Sequence, residues 1–126
     1  ALAGKQQPLH DVLIRGSRLP GPHMNEDLAE AVARNPDALL VFLRHGTEGI
    51  EKLAGYKFDL ALAGHSHGGQ VRIPFYGAPV MGFGVGRYDL GLFQAASGPL
   101  YVGAGIGWFY LPVRFNCRPE IAAIEL

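Results

Sequence analysis

The chain has one cysteine, Cys117, so no internal disulfide can staple it. With no Cys-x-x-Cys pair it lacks the material of a thiolate zinc site or a dithiol redox centre. It also has no excess of charge of either sign: 11 Lys and Arg face 11 Asp and Glu, interspersed along the sequence. Such a balance gives no field that would gather nucleic acid or an anionic membrane, so no nucleic-acid-binding patch is expected and a local site must choose the partner. Long apolar runs are missing too. Ala38 to Leu43 and Leu60 to Ala63 fall far short of the roughly 20 residues that cross a bilayer, so no transmembrane segment is expected. The sequence opens at Ala1 without methionine, a charged leader or an apolar signal segment, and reads as a processed chain or a piece of something longer. Compartment stays open, with any export signal or membrane anchor expected upstream.

What is present is the composition of a packed protein: 126 residues, 48% hydrophobic and 17% charged, enough for one domain around one core. Asp11 to Gly16 reads as a short buried strand, and Ser17 to His23 as a loop punctuated by prolines. Asn25 can cap a helix running through Arg34, because Leu28, Ala31 and Val32 share a face; Asn35-Pro36 stops it. Ala38 to Leu43 is a continuous apolar run, as in a central strand covered on both faces. Ile50, Leu53 and Ala54 then line one side of a predicted helix from Thr47 to Tyr56, followed by the strand Asp59 to Ala63. Strand, helix, strand implies a parallel sheet, whose ligand sites lie beyond the carboxyl ends of its strands. From Val71 onward the texture changes to short apolar runs broken by glycine and proline, which suits antiparallel strands and hairpins, with Tyr101-Val102 and Ile121 to Ile124 as strands.

Two strand ends carry histidine. His45 follows the first apolar run, and Gly64-His65-Ser66-His67-Gly68-Gly69-Gln70 follows the second. A His-x-His pair in a glycine-rich turn projects two imidazoles, and a third from a neighbouring strand end can converge on them. Neutral imidazole suits zinc, iron and nickel, while manganese prefers added oxygen ligands. A metal site is the chemistry this spacing favours.

Asp59 to Gln70 resembles the last metal-binding motif of the calcineurin-like metallophosphoesterases. Leu39 to His45 resembles the family's strand ending in an isolated histidine. Leu111 to Ile121, with Arg114-Phe115-Asn116-Cys117-Arg118-Pro119-Glu120 within it, is similar to the ending of a subgroup of membrane-associated or exported phosphohydrolases. The resemblance implies an α/β fold: residues 1–126 would be the C-terminal half of a sandwich of two sheets flanked by helices, parallel in its first part and antiparallel in its second. It also implies that His45 and His65 ligate one metal of a two-metal centre and His67 the other, with two divalent ions (Mn, Fe or Zn) per complete site. A metal-activated water would then hydrolyse a phosphomonoester or phosphodiester substrate. The family's N-terminal motifs, of the forms Asp-x-His, Gly-Asp-x-x-Asp and Gly-Asn-His-Asp/Glu, do not occur in the chain. The remaining ligands and the residue assisting the leaving group are therefore expected from an N-terminal half, in cis or trans, or from self-association. The chain alone is expected to be weakly active or inactive. Two alternatives are a non-catalytic metal-binding or interaction module derived from a phosphoesterase, and a single-zinc hydrolase built on the three histidines.

After His45 this chain reads Gly46-Thr47-Glu48-Gly49 where relatives carry an Asn-Pro-Asp-like turn, and Thr47 is expected to cap the following helix. Trp108, Phe109 and Tyr110 are expected in the core, with an apolar substrate lip as the alternative. Arg114 and Arg118 read as surface ion pairs or a phosphate clamp, Cys117 as structural, and Gln70 and Gly69 as a plain turn or as hydrogen-bonding shapers of the metal loop. His10 and His23 are expected to face solvent. Glycines 82, 84 and 86 do not match the G-x-G-x-x-G spacing, which excludes a dinucleotide loop there.

Overall fold

A computed structural model describes the backbone of residues 12–17 and 38–125 and the side chains of 38–125. These residues form one five-stranded mixed sheet: β1 (Val12–Ser17), β2 (Leu39–Arg44), β3 (Leu60–Ala63), β4 (Gly91–Ala95) and β5 (Gly98–Val102), in the order β1-β2-β3-β5-β4. The first four in that order run parallel, with Val41 opposite Leu60 and Ala61 opposite Leu100; β4 returns antiparallel to β5. A mixed sheet with few helices is compatible with the C-terminal half expected above. The helix expected at Asn25 to Arg34, and His10 and His23, lie outside the described residues.

β1, β2 and β3 form where the apolar runs placed them, within a residue; β5 starts three residues before Tyr101, and β4 was not foreseen. In β2 the consecutive residues Leu40, Val41 and Phe42 are all buried. Neighbouring strand residues face opposite sides, so the sheet is covered on both faces at this point. Phe42 stacks on Phe58 with ring centroids 4.8 Å apart, and Ile50, Leu53, Tyr88, Ala95, Leu100 and Val102 close the core around them. Burying a side chain such as Phe42 contributes about 2–3 kcal/mol. The β2–β3 register is pinned by Asp59, whose N–H donates to Leu40 O (3.1 Å) while its Oδ2 accepts from Leu40 N–H (2.7 Å).

Three expectations are corrected. Thr47 to Tyr56 is not an α-helix: only Ile50–Leu53 coils, as one turn of 3-10 helix, because Gly49 stands at φ 73 and breaks the helical path. Ile50 and Leu53 are nonetheless buried as the stripe required, whereas Ala54 is exposed. Thr47 caps nothing. Its buried hydroxyl donates to Tyr88 O (3.1 Å) and accepts from Gly86 N–H (2.9 Å), tying the exit of β2 to a distant loop. Ile121 to Ile124 is not a strand either; Ile121 is 89% exposed and no described strand runs beside it. In the second part the antiparallel pairing is the β4–β5 hairpin and the bridges Ile73–Gly77 and Phe109–Leu111, while β5 pairs parallel with β3 and Val71 bridges Phe115 in parallel.

Candidate metal centre

His45 leaves β2 and His65 leaves β3 at the carboxyl ends of adjacent parallel strands. The two imidazoles meet there, with ring centroids 4.4 Å apart and planes tilted by 53°. The backbones are joined as well, Gly64 N–H donating to His45 O at 3.1 Å. His65 Nε2 lies 2.6 Å from Phe83 O. A carbonyl only accepts, so Nε2 is the donor, and in the neutral ring Nδ1 is left with the lone pair. This is the arrangement in which metal-binding histidines are oriented, one ring nitrogen donating to a carbonyl and the other left as ligand.

Gly46 and Gly84 make that contact possible. A Cβ on Gly46 would lie 2.7 Å from Gly84 O, and one on Gly84 would lie 3.5 Å from His65 Nε2. The glycine-rich segment 82–86, rejected as a nucleotide loop, thus brings backbone against the histidine pair. Gly46, directly after His45, is part of the same fit.

His67 opens a short turn, His67–Gly69. Its Nδ1 is buried and has no hydrogen-bond partner. An orphaned polar atom of this kind calls for an explanation, and a metal or a bound water would supply one. Among the described residues no group of three or more His, Cys, Asp or Glu side chains is placed to hold a metal ion. The structure brings His45 and His65 together and leaves His67 separate. A single zinc on all three histidines does not fit this placement.

The loop is held in a strained shape. His65 (φ 69), His67 (φ 48) and Gln70 (φ 58) all lie in the left-handed region that non-glycine residues avoid. Ser66 Oγ donates to Asp89 O (2.7 Å) and accepts from Gly68 N–H (3.1 Å). Arg72 bridges Asp89 Oδ2 (2.8 Å) and Gly68 O (3.0 Å). Gln70 Nε2 donates to Leu111 O (2.9 Å) and Val113 O (3.0 Å), and its Oε1 accepts from Phe109 N–H. Gln70 is therefore a shaper of this loop.

Arg114 reaches back from the other side. Nη1 donates to His67 O (3.3 Å) and Cys117 O (3.2 Å), and Nη2 to Ala104 O (2.9 Å) and Gly107 O (2.5 Å). This corrects both earlier readings of Arg114: its hydrogen bonds go to backbone carbonyls, in neither a surface ion pair nor a phosphate clamp. Arg118 is exposed. Cys117 is buried and structural as expected, its Sγ 3.4 Å from His67 O. Trp108, Phe109 and Tyr110 are corrected from core to surface, being 58%, 51% and 83% exposed. Sequence reasoning missed Asp89, Arg72 and the reach of Arg114, since bonds to distant carbonyls leave no spacing signal.

The chain is similar to several known proteins. The chain is 38% identical over 104 residues to the uncharacterized metallophosphoesterase YkuE of Bacillus subtilis, a match covering 81% of the chain and 36% of that protein. It is 38% identical over 84 residues to the phosphodiesterase YaeI of Escherichia coli, covering 67% of the chain and 31% of YaeI. An uncharacterized metallophosphoesterase of Helicobacter pylori strain 26695 is 32% identical over 120 residues, covering 94% of the chain and 30% of that protein. The chain thus spans about a third of the length of these curated relatives. No protein-family model matches it, and no solved structure matches it significantly.

Proposed function

We propose that this chain, which belongs to the metallophosphoesterase family, supplies the His45, His65 and His67 ligands of a two-metal centre that hydrolyses phosphomonoesters or phosphodiesters. The family name itself implies divalent metal ions. The observation that carries the reading is the paired, tilted His45 and His65 rings at adjacent strand ends, with the Phe83 carbonyl holding the His65 proton on Nε2. In this reading His45 and His65 hold one cation and His67 the other. Two bound cations would neutralise phosphoryl oxygens, acidify a bound water and stabilise the leaving oxygen.

The chain's own part is positional. The Phe83 carbonyl fixes the tautomer of His65, and the Gly46–Gly84 approach keeps that carbonyl in place. Arg114 and Gln70 hold the strained turn that carries His67. The ligands missing from the described set come, on this reading, from the larger part of the protein that the relatives possess and this chain does not span. The phosphodiesterase name of YaeI favours testing diesters beside monoesters.

The test is hydrolysis of p-nitrophenyl phosphate and bis(p-nitrophenyl) phosphate with added manganese by the intact protein. Elemental analysis accompanies it, and His65→Ala/His67→Ala is compared with wild type. The expected result is about two metals per active unit and turnover lost in the double variant. Turnover indifferent to both substitutions refutes the assignment. Histidine-dependent metal binding without turnover on either ester would instead make the protein a non-catalytic metal-binding module.

A further inference from the structure

Two segments whose backbones touch the histidine loop carry exposed aromatic side chains outside the core. One bears Phe83, 98% exposed, whose carbonyl lies 2.6 Å from His65 Nε2. The other bears Trp108, Phe109 and Tyr110. The segment that presents these three is fastened to the site at several points. A Cβ on Gly107 would lie 3.4 Å from His67 Cε1, Gly107 O accepts from Arg114, and Phe109 N–H donates to Gln70.

Tyr110 itself sits at φ 59 at the centre of a tight turn closed by Leu111 N–H on Phe109 O at 2.8 Å. A three-residue turn with positive φ on a bulky residue is rare and strained. Phe109 and Tyr110 lean on each other, ring centroids 4.1 Å apart. Three adjacent aromatics are thus held outward beside His67 on a rigidly anchored, strained turn. Nearby Arg114 is committed to carbonyls and offers this surface no free guanidinium. Such a surface recognises apolar groups: aromatic side chains give large contact area with few rotamers to freeze.

We infer that Trp108, Phe109 and Tyr110 form a specificity lip that receives an apolar alkyl or aryl substituent of the phosphoester. This rests on the assignment of His45, His65 and His67 to the metal centre, and it names the substrate class of that centre. Small, wholly polar phosphates would leave the lip unused.

The test uses three diesters sharing one leaving group, methyl, octyl and phenyl p-nitrophenyl phosphate, with the manganese-loaded intact protein. The octyl and phenyl substrates are expected to exceed the methyl one in kcat/KM by about tenfold or more, and the larger of the two tells alkyl from aryl recognition. In Trp108→Ser and Tyr110→Ser, whose side chains are exposed, the octyl-to-methyl and phenyl-to-methyl ratios should fall toward one while metal content is retained. A second readout needs no turnover. Trp108 is this chain's one tryptophan, and the emission lost in Trp108→Phe should shift on adding octyl phosphate below its micellar concentration but not on adding inorganic phosphate. Equal kcat/KM for the three esters in wild type, or lip variants that lower all three alike, overturns the lip. If His65→Ala and His67→Ala still abolish turnover in that case, the catalytic reading survives it; turnover that ignores those histidines fails the catalytic reading instead.

Discussion

Replacing Arg114 by alanine removes one side chain and loosens two loops. Its guanidinium joins the turn carrying His67 to the carbonyls of Ala104, Gly107 and Cys117. A hydrogen bond to a charged group contributes about 1.5–3 kcal/mol when buried. Several of these are exposed, and water can replace the donor there. Counting only the part-buried contacts to His67, Cys117 and Ala104, at about 1 kcal/mol each, Arg114→Ala should cost about 3 kcal/mol. That corresponds to a fall in Tm of roughly 6–12 °C at the response of a domain of about 150–250 residues. Arg114→Lys should recover less than half, because an ammonium cannot span carbonyls on both loops as a planar fork does. Calorimetric melts with and without manganese, and manganese titrations of the folded protein, measure both effects. Metal affinity should fall about tenfold or more in Arg114→Ala, in the range found when groups supporting metal ligands are lost. A melt within a degree of wild type with unaltered metal affinity would refute the positioning argument.

Two further substitutions probe the same neighbourhood. Gly68 stands at φ 63, and a Cβ there would lie 2.5 Å from Cys117 Sγ and 3.3 Å from Leu90 Cδ2. Gly68→Ala should therefore cost roughly 2–4 kcal/mol in urea unfolding, from left-handed strain plus overpacking. Gly68→Ala/Cys117→Ala should recover about 1 kcal/mol of it, and strict additivity of the two single changes would contradict the contact. Thr47→Val keeps the shape and removes the hydroxyl that serves Tyr88 O and Gly86 N–H. It should cost about 1–3 kcal/mol by urea unfolding without altering far-UV circular dichroism, whereas loss of helical signal would restore the capping role.

The sheet was legible because its signals are local. Apolar runs of strand length, bounded by turn residues, marked β2 and β3, and the spacing between them required a parallel crossover. His45 and His65 were legible for the same reason, lying one and two positions past the ends of β2 and β3. The helix after His45 was misread because the apolar stripe of Ile50 and Leu53 is real but Gly49 takes a left-handed φ that no helix tolerates. Trp108 to Tyr110 were misread because an apolar run does not say whether the chain around it folds over the run or under it. Arg114 could not be read at all. Its partners are carbonyls, which every residue possesses, so no pattern of residue types betrays them.

The left-handed residues and the Gln70 and Arg114 hydrogen bonds explain each other. His65, His67 and Gln70 are three non-glycine residues at positive φ within six positions, each costing about 1–3 kcal/mol. A free turn would relax. Here Gln70 bonds outward to the 109–113 segment, and Arg114 bonds back from that segment's end to His67 and 104–107. Either loop can leave its strained form only by breaking bonds made by the other. The two loops therefore keep or lose their shapes together, and the proposed ligand His67 moves with the aromatic turn. A change in the 108–110 segment that alters its backbone should then disturb metal binding, while a change confined to its exposed side chains should alter substrate preference alone.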